Sequence, residues 1–500
     1  MRTAIGVGSY GCVYRPPHKC AVHKNATWYK NKISKLMLER NSITELNEYD
    51  KIDKIDKKKQ YFLGKPNVCT PNKKEILSTV NPQDCDLFDS ANVDDYRLLI
   101  SKDGGIDLDD FFEKGGFEEY SASFDSEQVA ANHFLLNFHN LFLGIKLFNE
   151  NDITHFDVKP SNIVFDYKTR SFKFIDFGLM ENISTAISNI KLGIMKSNIH
   201  WSYPLEHGFL RDGEFLSYDN LHSQTDVDRV IHFLQDVFSK SKSSSTITTL
   251  GIPASKKADI AKIKDKSRGF SNTFHYMNNL LSPLTNADKM AMISATVNSV
   301  YAYKDRYDEF LKKSIYTMDT YALGFTLNMV VNEFFKRGLL SRDHYTEVHL
   351  FCCQLFDFNV EARLENMDVI LVKYEDVLQK IGVLDDLDVR FVNHKIVKGS
   401  ITSKTKSPVV FITTNKIIDK TLDISLQKNE IVVCPPGKEF NPVTQKCVKV
   451  CPPGKERGIK GRCVKVCSED KERNSKGRCV SKKKRIVKNK TVRMPIQNLE

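Results

Sequence analysis

Over residues 36–56 apolar positions recur at helical spacing, through Leu38, Ile43, Leu46, Tyr49, Ile52 and Ile55, and predict an amphipathic helix. Before it, the run CVYRPP carries β-formers up to a proline break, and ATWYKNKISKL alternates loosely, so residues 1–36 read as short strands. YRLLIS at 96–101 is a short buried-strand pattern that ends in the flexible KDGG. Residues 134–151 form a strongly apolar helical run. NIVFD and SFKFIDFG follow as two short strands joined by YKTR, and another apolar helix begins at 319. The first hundred residues are therefore strand-rich and the later part mainly helical, an order that predicts two lobes with a cleft between them. From 385 to 433 there is little periodicity.

The last part of the chain repeats itself. CPPGKEFNPVTQKCVKV at 434 is followed by CPPGKERGIKGRCVKV at 451 and by a degenerate CSEDKERNSKGRCVSK at 467, with two cysteines in each unit. Six of the twelve cysteines lie there. The other six, Cys12, Cys20, Cys69, Cys85, Cys352 and Cys353, are scattered and read as free, buried thiols of a reducing compartment.

Charge sharpens the division. From Cys434 to Glu500 there are 19 basic and 6 acidic residues, net +13 of the chain's +12, so the remaining body is close to neutral. A basic tail fits an acidic partner, but Phe440 is its only aromatic, which gives nucleic-acid stacking little support. The 41% hydrophobic and 27% charged content is that of a globular protein. No run of 18 apolar residues predicts a membrane span, and the first residues lack the apolar core of a signal peptide.

Candidate chemistry begins with GVGSYGCVY at 6–14, where Gly6, Gly8 and Gly11 form a GxGxxG. A dinucleotide fold needs a helix after such a turn and an acid about 20 positions on. Pro16 and Pro17 block the helix, and no acid lies between Gly11 and Glu39. No GxxxxGK[ST] is present either. The specific signal lies further on. THFDVKPSNIVFD supplies Asp157, Lys159 and Asn162, and FIDFG supplies Asp176. Phosphoryl transfer needs a carboxylate to orient the nucleophile, a cation on the moving charge, and hard oxygen ligands for Mg2+. These residues provide one of each.

His155, Asp157, Lys159, Pro160 and Asn162, followed by Asp176, Phe177 and Gly178, resemble the signatures of the protein kinase superfamily, and Lys159 resembles its serine/threonine branch. Pro204 and Glu206 resemble the close of the activation segment. Asp319 and Gly324 resemble the helix that anchors the catalytic loop. Arg363 would pair with Glu206. The resemblance implies an α+β, bilobal protein-kinase-like fold that uses ATP and Mg2+ to phosphorylate serine or threonine in protein substrates. It implies Asp157 and Lys159 as catalytic residues and Asn162 and Asp176 as metal ligands. Ile5, Gly6, Val7, Gly8, Ser9, Tyr10, Gly11, Cys12 and Val13 would cover the nucleotide. Lys35 is the expected strand lysine, ahead of Lys30 and Lys32. Glu48 is its expected helix partner, ahead of Glu45, because a separation of 13 residues is nearer the family's usual one than 10. Phe156 stands where the family usually has arginine, which implies activity independent of activation-loop phosphorylation. The gap of 113 positions from Glu206 to Asp319 implies an insertion at about 210–310. Only five residues precede Gly6, so the first strand is expected to be very short.

The tail units resemble the two-cysteine adaptor repeats of large nucleocytoplasmic DNA viruses, found beside serine/threonine kinases, especially in iridoviruses. That implies a viral kinase, in host cytoplasm or virion, which contacts other viral proteins through its tail. A pseudokinase scaffold is the rival reading. The expected organisation is 1–105 and 106–380 for the two lobes, 381–433 as linker, 434–482 as repeats and 483–500 as basic tail. Each repeat is too small for a core and needs a staple. One disulfide per unit, worth on the order of 3 kcal/mol, is favoured over zinc bound through the C-x3-C pairs Cys447/Cys451 and Cys463/Cys467; free thiols stay open.

Overall fold

The β-rich pattern near the N-terminus folds into one antiparallel sheet. In this computed structural model β1 (Ala4–Gly8) and β2 (Gly11–Tyr14) form a hairpin, and β3 (Lys32–Leu38) pairs with β2 and runs directly into α1 (Glu39–Ile55). β4 (Asn67–Cys69), α2 (Lys73–Thr79) and β5 (Tyr96–Lys102) complete the sheet in the order β1-β2-β3-β5-β4. β3 is paired on both sides, so Val13, Lys35 and Leu99 lie in one row across the strands. The structure describes residues 4–8, 10–23, 25–193, 202–210, 218, 221–240 and 285–399, with the backbone of six short segments between 438 and 481. The chain divides into two units, Met1–Val409 and Val410–Glu500.

The scattered cysteines correct an expectation. Cys12 on β2 is joined to Cys85, and Cys20 to Cys69 on β4. Neither pair is close in sequence, with separations of 73 and 49, so only the folded sheet brings them together. Cys352 and Cys353 are free, as expected.

After the sheet the unit becomes mainly helical. β6 (Ile106–Asp107), α3 (Leu108–Glu113) and α4 (Gly116–Ser121) lead to α5 (Glu127–Glu150). Ser126 caps α5 by accepting the Val129 N–H at 3.2 Å. Its phenylalanines and most of its leucines are buried, because it runs through the centre of this core. β7 (Ile153–Thr154), β8 (Ile163–Asp166), β9 (Ser171–Phe174) and β10 (Glu181–Asn182) follow; β6-β8-β9 form one small sheet and β7-β10 another. Then come α6 (Ile183–Lys191), α7 (Gln224–Lys240), α8 (Asn286–Ala302), α9 (Tyr307–Tyr316), α10 (Met318–Lys336), α11 (Arg342–Leu355) and α12 (Met367–Lys380). Of the expected insertion, α7 and α8 join this core through Val227, Leu234, Ile293 and Val297; 241–284 lie outside the described residues.

The segment expected as linker starts as structure. α13 (Val383–Asp386) and the hairpin β11 (Val389–Val392) and β12 (Lys395–Lys398) continue the core, with Asn132 of α5 donating to Asp386 at 2.8 Å. Elements of four residues are too short to show a period, which is why the sequence pattern misses them. In the second unit β13 (Lys438–Asn441) pairs with β14 (Lys446–Lys449), β15 (Lys455–Arg457) with β16 (Cys463–Lys465), and β17 (Lys471–Arg473) with β18 (Cys479–Ser481). There is thus one antiparallel hairpin per sequence repeat. The state of the tail cysteines lies outside the described residues. No described helix is long and apolar enough to cross a membrane.

Candidate active site

The turn after β7 is held from beneath. Asp319, in the first turn of α10 and buried, accepts the backbone N–H of His155 at 2.6 Å and of Phe156 at 3.0 Å. Burial pushes its carboxyl above the usual carboxylate range, and His155 with the two N–H groups opposes that. Phe156 adopts a left-handed backbone (φ 62°) and is buried, so at this position the chain has a core side chain and not an exposed cation. The turn thereby presents Asp157. Lys159 donates to both of its carboxylate oxygens, at 3.0 and 2.9 Å. The Asn162 amide donates to Asp157 Oδ2 at 2.7 Å and to its backbone carbonyl at 2.9 Å.

Asn162 and Asp176 flank paired strands, just before β8 and just after β9. Ile175 N–H donates to the Asn162 carbonyl at 3.0 Å, which sets the two side chains on neighbouring backbone. Asp176 also has a left-handed backbone (φ 59°). The next residue, Phe177, is buried between the two halves of the unit. Its ring lies 4.9 Å from His155, 5.3 Å from Tyr49 on α1 and 6.2 Å from Phe62. These aromatic contacts couple α1 to the Asp157 turn.

Lys35 joins the sheet to this cluster. Its ammonium donates to Glu45 at 2.8 Å and lies 3.7 Å from Asp176. Burial alone would lower its pKa, but Asp176 and Glu45 outweigh it and hold the lysine protonated. Asp176 is held below the usual carboxylate range: burial pushes it up, and Lys35 followed by the Gly178 N–H outweighs that.

Glu48 is a correction. Its carboxylate pairs with Lys51 at 2.7 Å, one turn along the same helix, and Lys51 also reaches Glu181 at 3.7 Å. The buried stripe of α1 is Ser42, Glu45, Tyr49 and Ile52, whereas Ile43 is 55% exposed. A stripe drawn through Ile43 hides the fact that Glu45 shares the face of Tyr49.

The glycine-rich hairpin separates into two kinds of position. A Cβ on Gly11 would meet the Leu36 carbonyl at 2.6 Å and Met37 Cβ at 2.9 Å, so the close approach of β3 demands glycine there. At Gly6 and Gly8 a Cβ would find nothing nearer than 3.9 Å, so packing does not explain those two. Ile5, Val7 and Tyr10 are exposed, and Val13 is half-buried beside Lys35 in register. Cys12 is a second correction: its side chain is not exposed in the hairpin but buried in the disulfide to Cys85, in a core cluster with Tyr14, Leu36 and Leu98. Ser9 lies outside the described residues.

Below the site Arg363 and Glu206 form a fully buried ion pair, in which Nη1 donates to Oε1 and Nη2 to Oε2 at 3.0 Å. Arg363 also donates to Thr317 at 3.2 Å and to the Asp357 carbonyl at 3.0 Å, so little of its donor set is wasted.

No protein-family model matches the chain. Over 73 residues it is 36% identical to the probable serine/threonine-protein kinase cdc7 of Dictyostelium discoideum; this stretch is 15% of the present chain. It spans 6% of the length of that relative, so the likeness is to a short part of it.

Proposed function

We propose that the chain is a protein serine/threonine kinase of bilobal fold, transferring the γ-phosphoryl group of ATP to hydroxyls of protein substrates. The observation that carries this reading is the meeting of Lys35, Glu45 and Asp176 beside the Asp157–Lys159–Asn162 cluster. The short likeness to a serine/threonine kinase supports the same class.

Each residue has a task that its surroundings suit. Asp157, fixed by Asn162 and by the turn on Asp319, orients the substrate hydroxyl and accepts its proton. Lys159 neutralises charge on the group in transit. Lys35, kept protonated by two carboxylates, holds phosphate oxygens. Gly6 and Gly8, whose bareness packing leaves unexplained, let backbone N–H groups approach the phosphates.

The donors fit Mg2+. The Asn162 amide nitrogen is committed to Asp157, which leaves Oδ1 as its ligand atom, and Asp176 adds an ionised carboxylate. Mg2+ held there would supply positive charge to offset that of the nucleotide phosphates.

The second unit, with one hairpin per cysteine repeat and a basic sequence, is read as an adaptor for other proteins; the viral setting rests on the resemblance of the repeats alone. Phe156, buried where the family's cation would face a phosphorylated loop, supports activity without that modification.

The test is transfer of radiolabelled phosphate from ATP to a mixed set of serine- and threonine-containing proteins. Wild type labels them in Mg2+ and Asp157→Asn does not, while still binding nucleotide in a thermal-shift assay. Equal labelling by a clean Asp157→Asn preparation overturns the mechanism. Nucleotide binding without transfer by wild type favours a scaffold.

A further inference from the structure

Away from this cluster, three side chains from distant parts of the sequence meet. His139 on α5, Glu375 on α12 and His394 in the β11–β12 turn bring their ligand-type atoms within 4.8 Å of one another. His139 Nε2 lies 2.9 Å and His394 Nδ1 2.6 Å from the same oxygen, Glu375 Oε1. His139 is only 2% exposed, and its ring is covered by Phe391 at 4.5 Å and Tyr374 at 6.3 Å.

The turn itself favours this convergence at some cost. Val392 pairs with Lys395, so Asn393 and His394 are the two turn residues, both with positive φ (49° and 60°). Glycine is the usual residue at the second of these positions. Here it is a histidine whose side chain is directed at Glu375. On its other side, His394 Nε2 faces Asp368 at 3.8 Å. A carboxylate there favours the tautomer with hydrogen on Nε2, which leaves Nδ1 with its lone pair toward the cluster.

We propose that His139 Nε2, Glu375 and His394 Nδ1 form a binding site for Zn2+, with Asp368 as the outer carboxylate that orients His394. Two imidazoles and one carboxylate are a donor set suited to this borderline cation. Tetrahedral zinc with ligands at about 2.0–2.1 Å spaces those ligands roughly 3.3 Å apart, so the 2.9 and 2.6 Å contacts to Glu375 open and the two histidine nitrogens, within 4.8 Å of one another, come to the same spacing. Both histidines line a cavity of about 400 Å³, from which a water can take the fourth position. The ion fastens the β11–β12 hairpin, the last described element before residue 400, onto α5 and α12. This inference does not depend on the kinase reading.

The tail cysteines are a second place for zinc, so the experiment is a difference measurement on the full chain. Wild type and His394→Ala, both stripped with chelator, are titrated with Zn2+ and then with Co2+. The expected result is one metal equivalent fewer in His394→Ala. The lost Co2+ spectrum should contain ligand-field bands without thiolate charge transfer. Zinc should raise the melting temperature of wild type more than that of the variant. Glu375→Gln, which keeps shape and hydrogen bonding but weakens ligation, should reproduce the loss if His394→Ala proves poorly folded. Equal stoichiometry and equal thermal shift in wild type and both variants overturn the proposal and leave the cluster as a hydrogen-bonded clasp.

Discussion

Lys35 donates to Glu45, ten residues along the chain, while Glu48 is taken by Lys51. Register explains the choice. Lys35 sits in the row Val13–Lys35–Leu99, and α1 starts at once after β3, so the helix face at Ser42, Glu45 and Tyr49 turns to the sheet and to Phe177. Glu48 lies off that face.

Substitution at the two glutamates therefore has unequal consequences. Glu45→Gln removes a charge-assisted contact worth about 1.5–3 kcal/mol and is expected to lower kcat/KM for phosphate transfer roughly 10- to 100-fold. Glu48→Gln is expected to stay within about twofold, since Glu48 pairs with Lys51 and makes no ion pair with Lys35. Steady-state kinetics with ATP varied distinguishes them; a larger loss at Glu48 contradicts the assignment.

Arg363 and Glu206 make a different kind of pair, with both side chains fully enclosed. Truncation of one partner strands the other charge, so Arg363→Ala should cost about 3–5 kcal/mol in urea unfolding. The double replacement Arg363→Met with Glu206→Leu should recover much of this, because no charge is then left buried alone. A single variant as stable as wild type would show that water reaches the pair.

The sheet is tied by Cys12–Cys85 and Cys20–Cys69. Peptide mapping without reductant is expected to recover both linked pairs. Paired Cys12→Ala and Cys85→Ala should lower stability by about 2–5 kcal/mol under oxidising conditions and change little once dithiothreitol is added. Recovery of four alkylated thiols from untreated protein would refute the pairing.

Acid stability offers a further check on Asp176. Its folded pKa lies below the usual carboxylate value of 3.8, so its stabilisation is present above about pH 4 and is lost as pH falls through the lower folded value. Asp176→Asn should accordingly show a shallower loss of stability below about pH 4 than wild type, in denaturation curves taken at several pH values. Parallel curves would mean that Lys35 does not hold this carboxylate.

Much of the candidate site was legible because its chemistry is local. Asp157, Lys159 and Asn162 occupy six consecutive positions, and Asp176 follows across one short hairpin, so spacing alone nearly fixes their meeting. The repeats of the tail are equally legible as a period, though not the hairpin that each of them forms. Glu45 is harder to read, because the spacing to the following apolar residues suits both glutamates and the family's usual separation favours Glu48. The cysteines of the sheet carried no local signal at all. Their partners are 49 and 73 residues away, and nothing in the intervening sequence encodes that distance.

The sequence by itself determined the order of the elements, the strand-rich start and helical continuation, and the cluster of groups around Asp157. Those follow from periodicity and from residues close along the chain. Tertiary structure decided which glutamate meets Lys35, which cysteines join, and that His139, Glu375 and His394 come together. Each of these depends on how one packed surface is rotated and aligned against another, a property of the whole core that no single stretch of residues contains.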